Sequence, residues 1–301
     1  MSISISIIIP TYNRAHLIGR AINSIQRQSS AVWELIVVDD GSTDSTEEFL
    51  SQFLSDKRIK YYKKHNSGAA ESRNVGVEKA TNSLITFLDS DDEADPFWLE
   101  KMTDTLLRDQ ASVVCCGLQR FSHSGESLGI DMPEGMAPLF ENIRGRFTNG
   151  GVFLMYRKIF LAIGGFDSQL KSGQHTEMSY RLIPYLIEHN LKIVNIMEPL
   201  IKVHVHEGPR IRYNYNAIFQ GSTRTLMKHE KLFKKDRQRY INYLSVAGVC
   251  GVRTKRYTEA KSYFLKALKQ NPYRLRYWLR WLVSYVPGLR DQIWKSEIRN
   301  T

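Results

Sequence analysis

Over its first ninety residues this chain alternates short apolar runs with stretches of helical spacing, and the runs stop on polar or acidic clusters. Residues 3–9 alternate and then turn wholly apolar, residues 10–14 break the pattern, and Leu17, Ile18, Ala21, Ile22 and Ile25 recur at helical spacing. The run at 33–38 ends in Asp39-Asp40-Gly41-Ser42 and leads into a second helical stretch through Phe49 and Leu54, with Ser42, Thr43 or Asp44 as its cap. Residues 59–63 read as a strand, 69–79 as a helix, and 83–88 as a strand ending in Asp89-Ser90-Asp91-Asp92. This order predicts an α/β fold, an open and mostly parallel sheet flanked by helices, because parallel strands need crossovers that cover the sheet faces. Such sheets bind ligands beyond the carboxyl ends of their strands, where the polar clusters fall.

Further along, 113–117 reads as a buried strand, and 122–148, rich in Gly, Pro and polar residues, as a long loop over the site. Strand character returns at 152–156, a short helix at 157–163, a turn at Gly164-Gly165-Phe166-Asp167, a helix at 175–189, and strands at 191–196 and 200–206. From Tyr213 the pattern is helical, with a break at 248–255, a helix at 257–270 and a basic aromatic segment at 273–286. We therefore expect a catalytic domain over 1–212 and a basic helical C-terminal region over 213–301.

Composition removes several classes. At 42% hydrophobic and 24% charged the chain is an ordinary globular one, and no run approaches the roughly 18 consecutive apolar residues of a membrane span. The opening MSISISIIIP has no basic segment or continuous apolar block, so it reads as a strand and not as a signal peptide. Three cysteines, two of them adjacent, give neither a disulfide framework nor metal-ligand spacing, which fits a reducing, cytoplasmic setting. The net charge of +11 is uneven: 1–200 hold 20 basic against 25 acidic residues and 201–301 hold 22 against 6, or −5 and +16. A basic tail on an acidic body suits an anionic partner, although a solvated helical surface explains it equally well.

Four clusters carry chemistry. Pro10-Thr11-Tyr12-Asn13-Arg14 sets an aromatic beside hydroxyl and amide groups, a plausible cradle for a base and ribose. A carboxylate of Asp39-Asp40 could accept a pyrimidine imide N–H, a donor that uracil and thymine share. Asp89, Asp91 and Asp92 are crowded carboxylates whose repulsion a divalent cation would offset, magnesium or manganese held with water and a substrate diphosphate. Arg73-Asn74 offers a cation and an amide toward a nucleotide. No phosphate loop and no Gly-x-Gly-x-x-Gly fingerprint is present.

Taken together, Pro10-Thr11-Tyr12-Asn13-Arg14, Val38-Asp39-Asp40-Gly41-Ser42-Thr43-Asp44, Arg73-Asn74-Val75-Gly76 and Leu88-Asp89-Ser90-Asp91-Asp92 resemble the family-2 inverting glycosyltransferases of GT-A fold, over about residues 3–210. The resemblance implies a GT-A, Rossmann-like sheet and a nucleotide-diphosphate-sugar site. In it Pro10, Thr11, Tyr12, Arg14, Asp39, Asp40, Arg73, Asn74, Asp89 and Ser90 surround the donor, and Asp91 holds a divalent metal. It also implies direct displacement at the anomeric carbon by an acceptor hydroxyl that a side chain deprotonates.

The segment from Phe147 to Gly151 and the turn Gly164-Gly165-Phe166-Asp167 resemble the family's acceptor side, which leads to an acidic pair whose aspartate is the base. Here the sequence departs from the family: with Arg181 aligned to the Arg that ends that motif, Gln174-His175 stand in the pair's place and Glu177 follows two residues on. His175 is the favoured base, since imidazole is largely neutral at cytoplasmic pH. Glu177 is the alternative, although Arg181 four residues later could simply pair with it, and a site without a working base is a third reading. His204 and His206 share a strand face, and His206 is our choice to complete the metal site, with Arg210 and Arg212 as added charge against a leaving diphosphate.

The expected function is thus sugar transfer from a nucleotide-diphosphate donor, UDP-linked by preference, to a glycan or lipid-linked acceptor in cell-envelope polysaccharide synthesis. A catalytically impaired nucleotide-sugar-binding scaffold is the competing reading. Arginines interleaved with Trp, Tyr and Leu from 274 onward suit an anionic membrane surface, with peripheral attachment to the inner face of the cell membrane. A helical hairpin packing those aromatics internally explains the same residues. No nucleic-acid partner is expected, because the tail contains no recognised docking module.

Overall fold

A computed structural model describes residues 4–30, 32–133, 145, 147, 149–205 and 213–294. The chain divides into two compact units, Met1–Gln169 with His175–Gly208, and Leu170–Gln174 with Pro209–Thr301.

The first unit opens with β1 (Ile5–Thr11), α1 (Ile18–Gln26), β2 (Trp33–Asp39), α2 (Thr46–Ser51), β3 (Ile59–Lys63), α3 (Ala69–Lys79) and β4 (Leu84–Phe87). β1 pairs in parallel with β2 and β4, and β2 in parallel with β3. Both β1 and β2 are buried along their whole length, as strands covered on two faces must be, and this is why they read as apolar runs. Gly76 fixes how closely α3 approaches: a Cβ there would lie 2.3 Å from Ile8 Cγ2, so only glycine lets the helix press onto β1. Glu34 ties the opposite end of the strands together. It accepts from Ser6 Oγ (2.6 Å), Lys60 Nζ (2.6 Å) and the Thr81 N–H (2.7 Å). Burial opposes its charge, but these hydrogen bonds outweigh burial and bring its pKa down to about 2.

β5 (Glu93–Ala94), α4 (Trp98–Arg108), β6 (Val113–Phe121), β7 (Ser127–Asp131), a 3₁₀ turn at Gly150–Val152, β8 (Phe153–Tyr156), α5 (Arg157–Ala162), α6 (Gln174–Glu188) and β9 (Ile193–His204) follow. Among the described residues one sheet of nine strands runs β3-β2-β1-β4-β8-β6-β9-β5, with β7 on β6. Beyond β4 it is mixed: β8 is antiparallel to β4 and β6, while β6 and β9 are parallel. Two features differ from the sequence expectation. The loop at 122–148 contains β7, while 134–144, 146 and 148 lie outside the described residues. The two strands expected at 191–196 and 200–206 are one strand, β9, whose register against β6 jumps from Cys115↔Asn195 to Gly117↔Pro199. The extra residues form a bulge around a proline, and a bulge interrupts the side-chain alternation that marks a strand.

The second unit contains α7 (Tyr215–Lys228), α8 (Glu230–Phe233), α9 (Arg237–Arg253), α10 (Tyr257–Gln270), α11 (Leu275–Val283) and α12 (Pro287–Ile293). Asn214 and Asp236 cap α7 and α9 by accepting from the Ala217 and Arg239 N–H groups, both at 3.0 Å. The break expected at 248–255 falls only at the end of that range: α9 continues to Arg253, and 254–256, with Lys255 at φ 62°, separate it from α10. Gly248 serves packing instead: a Cβ on it would lie 2.5 Å from Cε1 of the Phe264 ring on α10. No helix among the described residues is long and apolar enough to cross a membrane.

Candidate active site

The first two loops at the carboxyl edge are laced together. Asn13 adopts a left-handed φ of 51° and its N–H donates to Ser42 Oγ (2.9 Å), while its own Oδ1 accepts from the Thr43 N–H (2.8 Å). Ser42 therefore braces the neighbouring loop and does not cap α2; at that helix Asp44 accepts from the Thr46 N–H (3.0 Å). Pro10 and Thr11 are buried, and Thr11 Oγ1 has no hydrogen-bond partner among the described residues. Tyr12, beside them, is 46% exposed, an aromatic face open to a planar ligand. Arg14 is half-buried, and its N–H donates to Thr46 Oγ1 (3.0 Å).

At the end of β2 both carboxylates are occupied. Asp39, fully buried, accepts from the Ser42 N–H and from the Tyr61 hydroxyl, each at 2.8 Å. Asp40 accepts from the Ser67 and Gly68 N–H groups, again at 2.8 Å, and pairs with Lys64. Asp40 thereby anchors the turn into α3, a role that its place in the sequence does not disclose.

α3 carries the charged centre of the site. Arg73, with only 6% of its side chain exposed, donates to Asp89 Oδ1 at 2.6 Å, and its guanidinium lies 5.7 Å from the Phe166 ring centroid. Burial works against the Asp89 charge, but the Arg73 cation overcomes it and holds that carboxyl below its usual range. Asn74 spends both ends of its amide on Phe166, donating to its carbonyl (2.8 Å) and accepting from its N–H (2.9 Å). That pair of hydrogen bonds secures the Gly164-Gly165 turn, where both glycines are left-handed at φ 78° and 63° and a Cβ on Gly165 would sit 2.7 Å from Asn74 Oδ1.

The same turn places Phe166 edge-on to His175, with ring centroids 5.0 Å apart, and Phe153 flanks the imidazole from 6.2 Å. Burial, helped by the Arg73 cation and opposed by Asp89, lowers the His175 pKa to about 3. The ring is therefore neutral at ordinary pH, and its buried Nε2 has no hydrogen-bond partner among the described residues. Glu177 is different. It is fully buried and held in a fork by Arg181, Nε to Oε1 at 3.0 Å and the second nitrogen to Oε2 at 2.6 Å.

The acidic turn after β4 is braced by Arg20 and Asn149. Ser90 and Asp92 are buried and Asp91 is half-buried. Arg20 on α1 donates to the Asp91 carbonyl (2.6 Å), and Asn149 donates to Asp92 Oδ2 (2.9 Å) while its own Oδ1 accepts from the Gly151 N–H (3.1 Å). Burial, together with the charges of Asp91 and Asp89, raises the Asp92 pKa well above the carboxylate range. That strain is what a bound cation would relieve, so the residues fit a hard divalent ion held by one carboxylate plus diphosphate oxygens and water. Among the described residues no three His, Cys, Asp or Glu side chains meet as a complete metal cage. His204 faces Glu93 at 3.4 Å and stacks on Phe121, while His206, Arg210 and Arg212 lie outside the described residues.

Three participants were missed in the sequence: Arg20, Asn149 and Tyr61. Asn149 stands next to Gly150-Gly151, and a Cβ on Gly150 would come within 3.2 Å of Asp89 Oδ1, so the glycine pair was its only signal. Nothing in helical spacing marks Arg20.

Comparisons with known proteins agree with this geometry. Residues 6–164 match the family model "Glycosyl transferase family 2". TuaG of Bacillus subtilis, a glycosyltransferase assigned to teichuronic acid biosynthesis, is 37% identical over 139 residues, which cover 42% of this chain and 55% of TuaG. WfgD of Escherichia coli, a UDP-Glc:alpha-D-GlcNAc-diphosphoundecaprenol beta-1,3-glucosyltransferase, is 45% identical over 89 residues, 29% of this chain and 35% of WfgD. An uncharacterized glycosyltransferase of Rickettsia conorii is 47% identical over 88 residues, but the match spans only 15% of that longer protein. The fold is that of Staphylococcus aureus TarS 1–349 in complex with UDP-GlcNAc, with a TM-score of 0.68, 18% identity, and coverage of 97% of this chain and 89% of TarS 1–349. With the family model covering more than half of its length, the chain belongs to glycosyl transferase family 2.

Proposed function

We propose that the protein transfers one sugar from a UDP-sugar to a glycan or lipid-linked acceptor in cell-envelope polysaccharide assembly, with inversion at the anomeric carbon. The observation that carries this reading is the pair formed by the buried Arg73 guanidinium and the half-buried Asp89 beside a neutral His175 at the carboxyl ends of parallel strands. TuaG and WfgD support the envelope setting, WfgD's name pairs a UDP-sugar with a lipid-linked acceptor, and TarS has been crystallised with UDP and with UDP-GlcNAc. Tyr12 would stack on the base, Thr11 and Asp39 would contact base and ribose, and Asp89, oriented by Arg73, would accept from the ribose. Asp91 would hold a magnesium or manganese ion, which when bound neutralises charge on the departing diphosphate.

In the reaction the acceptor oxygen bonds to the anomeric carbon, and the carbon–oxygen bond to the diphosphate breaks, its electron pair leaving with UDP. The hydroxyl proton passes to His175 Nε2. His175 is preferred to Glu177 because its Nε2 has no partner among the described residues while the Glu177 carboxylate is sealed in its Arg181 fork. The protein would work in the cytoplasm at the inner face of the cell membrane.

Transfer and UDP binding, measured with manganese, test this. His175→Ala should lower turnover by roughly 10²- to 10⁴-fold with UDP affinity preserved. Asp91→Ala should abolish the response of UDP affinity to manganese. Wild-type turnover in both variants would sink the reading.

A further inference from the structure

The tail offers a feature that sugar transfer leaves unused. α11 has two apolar faces, not one. On its inner face Tyr277 and Ser284 are buried, and Trp281 packs against the cluster of Val252, Ala260, Phe264 and Trp294. On its outer face Leu275, Trp278, Leu279 and Leu282, spaced i, i+3, i+4 and i+7, are all exposed, Leu275 by 70%. That is the stripe by which an amphipathic helix meets a core, and here it meets none among the described residues. Val286, Leu289 and Ile293 continue the exposed apolar character into α12. Arg274 and Arg276 are exposed beside the stripe and Arg280 is half-buried, while residues 273–294 contain a single acid, Asp291.

We infer that the outer face of α11, continued by α12, docks on an anionic lipid bilayer, lying in the headgroup layer with Leu275, Trp278, Leu279 and Leu282 inserted and Arg274, Arg276 and Arg280 on lipid phosphates. This deepens the reading of a membrane-facing transferase and takes its purpose from it, since an acceptor confined to the membrane is met faster by an enzyme confined there too. Charge selects the occupant. A second copy of the chain laid on this face in a two-fold contact would set arginines against arginines with one aspartate to relieve them, whereas an anionic bilayer supplies the opposite sign over its whole area. Tryptophan beside arginine and leucine is also the composition that settles at a lipid–water boundary.

Flotation of the full chain with vesicles of phosphatidylglycerol and phosphatidylethanolamine, against phosphatidylcholine alone, tests it. Wild type should float with the anionic vesicles and not with the neutral ones. Replacing Arg274, Arg276 and Arg280 together by Gln should weaken partitioning about a hundredfold, since each surface cation counts for roughly a factor of five or more. Leu279→Ser with Leu282→Ser, which leaves charge unchanged, should weaken it at least tenfold. Replacing Lys231, Lys234 and Lys235 by Gln removes the same charge elsewhere in the unit and should change partitioning less than threefold. Equal loss in both charge variants, no flotation of wild type, or a dimer in sedimentation that the leucine variants dissolve would overturn the proposal. UDP affinity, read on the same samples, should be unaltered in every tail variant. Failure of UDP binding in wild type would instead strike the transferase reading and leave the docking result standing on its own.

Discussion

The carboxyl edge of the parallel strands and the outer face of α11 treat their functional groups in opposite ways. At the edge, Asp39, Asp40 and Asp89 each have short-range donors, and even the loop backbone is held by Asn13, Asn74 and Asn149. On α11 the leucines of the outer face, with Arg274 and Arg276 beside them, are exposed. A site that must stabilise charge at one geometry gains from groups fixed before the ligand arrives, because no reorganisation is then needed at the moment of reaction. A surface that meets a fluid partner needs no such fixing. The edge thus presents preorganised polar groups, and α11 presents uncovered apolar ones.

Three measurements would break or sharpen that contrast. The largest effect is expected at the edge: Asp89→Asn removes the carboxylate from the buried Arg73, and unfolding by denaturant should show a loss of about 3 kcal/mol. Next is pH. His175 ionises near 3 in the fold and near 6.5 when unfolded, so the unfolded state binds the extra proton between those values. Stability should be complete above about pH 6.5 and fall by about 1.4 kcal/mol per unit below it, with His204 adding in the same direction. Glu34, at about 2 in the fold against 4.5 in its ordinary state, adds its own loss only below about pH 4.5. Melting at pH 7, 6 and 5 should therefore separate them, and His175→Gln should flatten that upper range. The neutral imidazole also predicts that turnover shows no acid limb near pH 6.5 from this residue, in contrast to an unperturbed histidine. The smallest effect belongs to the tail, where Leu279→Ser should shift stability by no more than about 0.5 kcal/mol, since the side chain is already wet.

The strand and helix order to residue 88 was legible because parallel strands buried on both faces must be apolar throughout, and their covering helices must repeat at 3.6 residues, whereas β5 and α4 were not read from the sequence. Where periodicity is broken by geometry, the reading slipped: the β9 bulge split one strand into two, and Gly248 looked like a helix end when it is a crossing point for Phe264. Of the site, the motif residues lie at the predicted strand ends, but which carboxylate is free and which is spent is a matter of distance. Asp39 and Asp40 are adjacent in sequence and alike in chemistry, yet one accepts from Tyr61 and the other from Lys64. Glu177 and His175 differ likewise only once the Arg181 fork and the two phenylalanine rings are in place.

Sequence alone determined the family, the sheet that carries it and the excess of cations in the tail, because all three are written in residue type and local spacing. Tertiary structure decided that His175 is a neutral imidazole in an aromatic pocket, that Arg20 and Asn149 brace the acidic turn, and that α11 packs one apolar face and leaves the other open. Each of these depends on what lies within a few ångströms across the fold, and hydrogen bonds, desolvation and burial act over that distance whatever the separation along the chain.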